Sequence, residues 1–402
     1  METDILIVGA GPAGAAAAVH LGQLGVRDVL LADRDHFPRD KTCGSGLSPS
    51  ALHVAEALGI GAELRARAYP VVTVRFVTPG GEEIRAPANS AAVILLRREF
   101  DDLLVQRARA LGVQFRHGFR ATEEISENGR VVGVRDLSGN EIRARIVLFA
   151  DGANSLFSGD DRERRHIDAL MGWWEGPDFE PGRLDMIFDR ALSPLYGWLF
   201  PETPTRVNIG ICVDAQDEYG RKVGRDLRAT FQEFLGRHYA GLLKGARQLG
   251  GWRGHPIVHT TWIANVTRPG ALLVGEAARL THNGTGEGIS QAMQSGIFAA
   301  EAVARVVRGE TSEPASWRRY VWALRRRFTL GFVAGHVLRD IVDSEMLDRL
   351  ARTYNSASFQ RSIHWLMGAA LTGTTSQEAP AAYVRQGIEE GAKRSSGESP
   401  LA

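Results

Sequence analysis

The sequence predicts an α/β fold: a parallel sheet assembled from separate pieces of the chain, a mixed α+β unit inserted between them, and a helical C-terminus. Three observations predict it. Asp4-Ile5-Leu6-Ile7-Val8 is a short apolar run with no helical period, as buried parallel strands are. Two runs of the same kind recur far downstream, at 146–150 and 271–274. Between them, over 164–262, the texture changes to short strands separated by Pro-containing turns.

Taken in order, the first strand runs directly into Gly9-Ala10-Gly11-Pro12-Ala13-Gly14. An Ala-rich helix is expected over 15–24, and a second buried strand over 29–32 that ends at Asp33. Gly9 allows the tight turn, Gly11 lets the backbone approach a pyrophosphate, and Gly14 lets helix and strand pack closely. The helix N-terminus supplies unpaired N–H groups and a partial positive charge. Asp33 lies about 20 residues past the glycines, where an acid binds a ribose hydroxyl. Strand, Gly-rich turn, helix, strand and acid together make a Rossmann-like dinucleotide-binding unit.

Pro38, Gly44 and Gly46 argue against a long regular element over 34–46. Ser48-Pro49 caps a helix over 50–58. A hairpin is expected over 71–78 and 83–86, turning at Pro79-Gly80-Gly81. A short apolar run at 93–96 precedes a helix over 97–111, spaced by Phe100, Leu103, Leu104, Ala108 and Leu111. Strands follow at 113–115, 120–126 and 130–136, with Glu127-Asn128-Gly129 as a hairpin turn. Residues 141–145 pair onward, and the buried strand 146–150 ends at Asp151-Gly152-Ala153-Asn154-Ser155. Strands at 183–188, 196–200 and 206–213 and a helix over 227–238 belong to the inserted unit. Gly275-Glu276 ends the 271–274 strand, and Gly284-Thr285-Gly286-Glu287-Gly288 opens a long helix over 289–307. Residues 317–372 read as helical throughout. The first domain is therefore discontinuous, in pieces 1–70, 97–160 and 268–310. The second takes 71–96 and 163–267, a helical region covers 311–375, and 376–402 is a polar, disordered tail.

The 402 residues are 44% hydrophobic and carry a net charge of +1, which gives no reason to expect nucleic acid as a partner. The two cysteines, Cys43 and Cys212, lack C-x-x-C spacing, so neither a disulfide framework nor a metal site is indicated and a reducing compartment fits. Glu2 and Asp4 stand where a signal peptide has basic residues. No apolar run reaches the roughly 18 residues that span a bilayer. A cytoplasmic protein, soluble or peripheral to a membrane, is expected.

At this point the chain resembles a family. The Gly-rich turn, Arg97-Arg98-Glu99-Phe100-Asp101, Asp151-Gly152-Ala153-Asn154-Ser155 and Leu273-Val274-Gly275-Glu276-Ala277-Ala278 together resemble FAD-dependent oxidoreductases of the hydroxylase and geranylgeranyl-reductase superfamily, over residues 4–310. Two stretches narrow it. The Lys41-Thr42-Cys43-Gly44 segment is similar to that of geranylgeranyl reductases and flavin-dependent halogenases. Tyr196-Gly197-Trp198-Leu199-Phe200-Pro201 is similar to the Tyr-x-Trp-x-Phe-Pro motif of geranylgeranyl reductases, which lines the substrate side of the flavin.

The resemblance implies FAD as cofactor, bound by Gly9, Gly11, Pro12, Ala13 and Gly14. It places Asp33 and Arg34 at the adenosine ribose and Arg97 at the diphosphate or ribityl chain. Asp151 would lie near the pyrophosphate and Glu276, after Gly275, on a ribityl hydroxyl. Cys43, Gly44 and Ala121 complete the cofactor contacts. Gly286, Gly288 and Ile289 would set backbone N–H groups at the flavin N1–C2=O edge, where the helix's positive end stabilises anionic reduced flavin. Turn chemistry alone is the competing account of Asp151 and Glu276. Three coincident strand ends weigh against it.

Two departures stand out. Where the family has Gly-Asp, this chain has Gly275-Glu276, one methylene longer. Where it has Pro three residues before Gly286, this chain has Asn283, preceded by His282. Altered polarity beside the flavin is one reading of that change, and neutral drift in a loop the other. Cys43, Tyr196, Trp198 and His282 are the catalytic candidates, with His282 the proton carrier because its side chain titrates near neutral pH. A small packing residue is the favoured reading of Cys43. Trp173-Trp174 would join Tyr196, Trp198 and Phe200 in an apolar wall, and His255 and His259 read as isolated, structural residues. No second dinucleotide fold is evident, so NAD(P)H would bind transiently, or a separate reductase or ferredoxin would supply electrons. The basic helix around Arg318, Arg319, Arg325, Arg326 and Arg327 can lie on an anionic membrane. Packing on the main body with a solvated basic face is the favoured reading.

These features imply reduction of a C=C bond in an apolar, isoprenoid- or natural-product-like substrate by hydride from flavin N5. A monooxygenase working through a C4a-hydroperoxide is the alternative.

Overall fold

The computed structural model describes residues 1–88, 92–159, 165–216, 221 and 223–354. The Glu2–Val8 strand pairs in parallel with Val29–Ala32 on one side and Glu141–Phe149 on the other. Gln114–Arg116 and Ala271–Leu273 extend the sheet outward on the two sides, again in parallel. Residues 5–8 and 146–149 are buried without alternation, because helices cover both faces there.

The two elements expected at 141–145 and 146–150 are one strand. Its first residues pair antiparallel with Arg130–Asp136, and from Arg143 onward it pairs in parallel with the first strand. The switch from alternating to continuous apolar residues at Ile146 marks where the sheet becomes covered on both faces, and the backbone runs straight through it.

Eight helices are described: α1 Pro12–Gln23, α2 Pro49–Ala57, α3 Gly61–Arg67, α4 Arg97–Ala110, α5 Leu227–His238, α6 Ile289–Val307, α7 Glu313–Asp343 and α8 Met346–Tyr354. Ser48 caps α2 by accepting from the Ala51 N–H at 3.2 Å. α1 packs on α4 and α6, and its Ala15 to Ala18 are wholly buried. A Cβ on Gly14 would collide with the Gly9 carbonyl oxygen, and one on Gly296 of α6 with the Ala13 carbonyl oxygen.

The second large sheet is centred on Arg165–Glu175, which pairs with Arg206–Asp214 and Arg253–His259. Gly197–Thr203 and Arg183–Ile187 continue it, and the hairpin Thr73–Val77 and Glu83–Pro87 joins through a parallel pairing with 183–187. α5 covers one face with Phe231 and Phe234. The 165–175 and 253–259 strands were not anticipated. The middle of the first, residues 169–172, is buried on consecutive residues, so it shows no alternation to read.

Val93–Ile94, grouped by sequence with 71–96, pairs with Gly46–Leu47 and Tyr69–Pro70 in a small third sheet. The helical C-terminus is also broken where continuity was expected: α7 ends at Asp343, and Ser344 is extended (φ −97°, ψ 170°) before α8. The expectations for 355–375 and for a disordered tail at 376–402 lie outside the described residues. Among the described residues, no helix is long and apolar enough to cross a membrane.

The contact at Gly296 is directly testable. Gly296→Ala forces α6 away from α1, and overpacking of this kind costs about 1–3 kcal/mol. Urea unfolding should show a lower midpoint at unchanged slope; an unshifted midpoint would contradict the close approach.

Candidate active site

Three strand ends of the parallel sheet meet at one edge. Gly9 (φ +100°) turns so tightly that a Cβ there would stand 2.5 Å from the Ala150 carbonyl oxygen. α1 then begins at Pro12 with Gly11 as its N-cap and no side chain capping it. Its first N–H groups therefore remain for a ligand. The Ala10 N–H donates to Asp33 Oδ2 at 2.6 Å and the Asp35 N–H to Oδ1 at 2.9 Å, so the acid expected at the ribose also fixes the Gly-rich turn. Burial raises the Asp33 pKa, against the pull of those two N–H groups. The Phe119 N–H bonds the Asp33 carbonyl, which brings the strand beginning at Ala121 close by. Arg34 instead lies at the surface, 3.7 Å from Asp35.

The guanidinium beside Gly11 belongs to Arg39, a residue the sequence reading passed over. Asp101 is fully buried and serves two arginines. Arg97 holds it in bidentate fashion at 2.7 and 2.8 Å, and Arg39 reaches it at 2.9 Å. Arg97 also bonds the Cys43 side chain, so it is committed within the protein. Arg39 Nη1 is buried with no hydrogen-bond partner. Asp151 accepts from the Leu156 N–H at 3.3 Å through Oδ2, while its Oδ1 is buried with no partner and burial raises its pKa.

Gly275 (φ +60°) opens a 3-10 turn over Gly275–Ala278, where a Cβ would stand 2.7 Å from that of Ala13. Glu276 follows, and its Oε1 accepts from the Val258 N–H at 2.9 Å. That bond ties the first sheet to the second. A second tie is Lys41, whose Nζ lies 2.8 Å from His255 Nε2. The ring's Nδ1 is 2.6 Å from the Pro256 carbonyl, which keeps the proton there and leaves Nε2 to accept from Lys41. Burial lowers the Lys41 pKa, and the like charge of Arg97 lowers it further. Burial and Lys41 push His255 down to about 4. His255, expected to stand alone, is therefore part of this cluster.

The 197–203 strand faces the loop that opens α6. Tyr196 donates its hydroxyl to the Thr285 carbonyl at 2.5 Å. Gly286 (φ +67°) faces Ile257, with Gly288 as the α6 N-cap and Ile289 its first residue. Glu287 accepts from the Ser290 N–H and hydroxyl at 2.9 and 2.8 Å. Trp198 is held by Asn208 at 2.7 Å, between Gly44 on one side and Gly210 on the other. Phe200 lies beneath Gly44 and Gly46. Trp173 shares their face, but Trp174 points into the opposite cluster with Phe231, as consecutive strand residues must. The expected Trp173-Trp174 wall is Trp173 alone.

His282 and Asn283 point away from this face. His282 packs on Phe332 of α7, bonds the Gly331 backbone and accepts the Thr285 N–H at 3.2 Å. Burial lowers its pKa, so it stays neutral. Asn283 is fully buried and donates to the Phe332 carbonyl at 3.1 Å. The polarity that replaces the family's proline is thus spent on α7.

An uncapped helix end, a buried unpaired arginine nitrogen at Gly11 and an unpaired acid oxygen at Asp151 fit a diphosphate and the hydroxyls around it. Comparison with known proteins agrees. Residues 2–165 match the family model described as FAD binding domain. Menaquinone reductase of Mycobacterium tuberculosis is 31% identical over 326 residues, 75% of this chain and 76% of that protein. Digeranylgeranylglycerophospholipid reductase of Thermoplasma acidophilum is 28% identical over 369 residues, 87% of this chain and 91% of that protein. Among solved structures, a geranylgeranyl bacteriochlorophyll reductase-like protein of the same organism has a TM-score of 0.75 at 22% identity, covering 97% of this chain and 96% of that one. A flavin-dependent brominase has a TM-score of 0.75 at 20% identity, covering 98% of this chain and all of its own, and shares the fold. The cofactor is FAD.

Asp101→Asn leaves the buried Arg97 guanidinium without its counter-charge and Arg39 with only Asp35 at 3.7 Å, which should cost about 3–5 kcal/mol in urea unfolding and weaken FAD binding in titrations. A loss below about 1 kcal/mol would show the network to be dispensable. The buried histidines set a pH window. His255 and His259 have folded pKa values of about 4 and about 3. In the unfolded chain both return to about 6.5, so unfolding takes up protons as pH falls below that value. Stability should therefore fall from pH about 6.5 toward 4. His259→Gln should flatten the slope, and an unchanged slope would refute the assignment.

Proposed function

The chain belongs to the geranylgeranyl reductase family of FAD-dependent oxidoreductases, and from that premise we propose that it reduces a carbon–carbon double bond in the apolar, isoprenoid chain of a lipid-like substrate. FAD, held by the Gly9–Gly14 turn, Arg39 and the start of α6, would when reduced supply a hydride to one alkene carbon. The other carbon takes a proton.

The observation that carries the reading is the apolar face that the second sheet turns toward the loop at the start of α6. Trp173, Trp198, Phe200 and Ile257 share it. Tyr196 anchors it to Thr285, and Ile257 lies against Gly286. Such a face excludes water and offers an alkene no competing hydrogen bonds. Relatives named for reducing a digeranylgeranyl glycerophospholipid and menaquinone support the same substrate class. Cys43 suits the proton-donating role better than His282. It is half-buried in the segment packed on Trp198 and Phe200, whereas His282 faces α7.

The test is a single turnover. Enzyme reduced anaerobically with dithionite, then mixed with a prenylated lipid, should return to oxidised flavin as the lipid gains the mass of one dihydrogen. Reoxidation by oxygen through a long-lived C4a-adduct, with an oxygenated product, would replace this reading with the monooxygenase. Trp198→Ala should lower turnover on the order of 10- to 100-fold while FAD stays bound. Unchanged turnover would remove Trp198 from the substrate wall.

A further inference from the structure

We propose that the outer face of α7 is a docking surface for an anionic lipid bilayer. The helix has two working faces. Its inner face buries Trp317, Tyr320, Leu324, Phe328 and Phe332 against the body. Its outer face carries Trp322, Arg326, Leu330, Val333 and Val337, at successive spacings of three or four residues, which places them in one stripe. Trp322, Leu330, Val333 and Val337 are 61%, 80%, 56% and 52% exposed. Four large apolar side chains lined up in solvent are uncommon on a surface that meets only water.

The charge on the same helix selects the partner. Between Glu313 and Asp340, α7 contains no acidic residue and six arginines. Arg325 is held by the Ile263 carbonyl and Arg339 by Asp214. Arg318, Arg319 and Arg326 are exposed, and the Arg326 guanidinium stacks over Trp322 at 5.1 Å. Ala315, Arg318, Arg319 and Trp322 line a shallow hollow at the N-terminal end of the stripe. An apolar ridge beside unpaired arginines and an amphipathic tryptophan matches the boundary between acyl chains and anionic headgroups.

The inner face explains why docking here would serve the enzyme. Phe332 and Gly335 hold His282, Asn283 and Gly284, the start of the loop that opens α6. The stripe lies across α7 from that loop, roughly 10 Å away by the width of one helix. The surface itself stands on α7 alone. Its use in taking up a lipid chain rests on the reductase reading above.

The experiment is co-sedimentation of the FAD-loaded full chain with phosphatidylcholine vesicles, with and without phosphatidylglycerol. Wild type should pellet with the anionic vesicles, and far less with phosphatidylcholine alone. R318Q/R319Q/R326Q should lower the partition coefficient on the order of 100-fold, the effect of about three basic side chains at such a surface, and R318E/R319E/R326E, which reverses those charges, should lower it further. L330S/V333S/V337S should lower it about tenfold or more. All three variants should keep FAD and wild-type turnover of a short, water-dispersed alkene, so failed docking and failed reductase activity are read separately. Equal partition onto both kinds of vesicle, or unchanged partition in the variants, would overturn the proposal. So would a wild-type dimer in analytical sedimentation that L330S/V333S/V337S disperses, since the stripe would then meet a second copy of the chain.

Discussion

A Cβ on Gly14 would run into the Gly9 carbonyl oxygen, and one on Gly296 into that of Ala13, so α1 can lie at its observed depth only with glycine at both places. Much of the site follows from that depth. The run Ala15 to Ala18 fills the narrow space between sheet and α6 with the smallest side chains that still favour a helix. Gly275 then meets the first turns of both helices, through Ala13 of α1 and Ala292 of α6. Two helix N-termini and the ends of the 2–8, 141–149 and 271–273 strands are thereby gathered at one edge. The α1 end has no side-chain cap and its N–H groups can address an extended anion, while at the α6 end Glu287 takes the Ser290 N–H.

Around that edge the protein buries more charge than stability alone would favour. Asp101 has no exposure and neutralises two guanidiniums, and Lys41 is desolvated beside Arg97. Apolar residues of similar volume would often be as stable or more so. What the charges provide is placement. Arg97 binds Cys43, and Arg39 stands at Gly11 with a nitrogen unused. Lys41 and Glu276 reach the 253–259 strand through His255 and the Val258 N–H. The seam between the two large sheets is thus polar on the cofactor side and aromatic on the Trp198 side, which suits a ligand with a charged half and a flat, apolar-facing half.

The parallel sheet was legible because its strands are continuous apolar runs that end in Gly-rich or acidic turns, a local pattern. The 165–175 strand was not legible for a related reason: its middle, residues 169–172, is buried on consecutive residues and shows no alternation, although Gly176-Pro177 marks its end. Among the candidate residues, Asp33, Asp151 and Gly275 were read from strand ends, and Gly286 from the Gly-rich stretch that opens α6. Arg39 and His255 could not, because what brings them in is the crossing of residues far apart in the chain, Arg39 to Asp101 and Lys41 to His255. One local signal was present and unused. Arg97 and Asp101 are four residues apart on one helix, the spacing at which an ion pair forms.

The loop at 282–286 shows how a departure from a family pattern is read once its surroundings are known. A proline fixes φ and offers no N–H, so it stiffens a loop without help. Asn283 has neither property, and the chain holds the same segment from outside instead. The Asn283 amide donates to the Phe332 carbonyl, Arg339 donates to the Asn283 carbonyl at 3.0 Å, and Gly284 abuts Gly335 so closely that a Cβ on either has no room. Stiffness moves from the loop's covalent structure to its contact with α7. The geometry at Gly286 and Gly288 then depends on where the inner face of α7 sits.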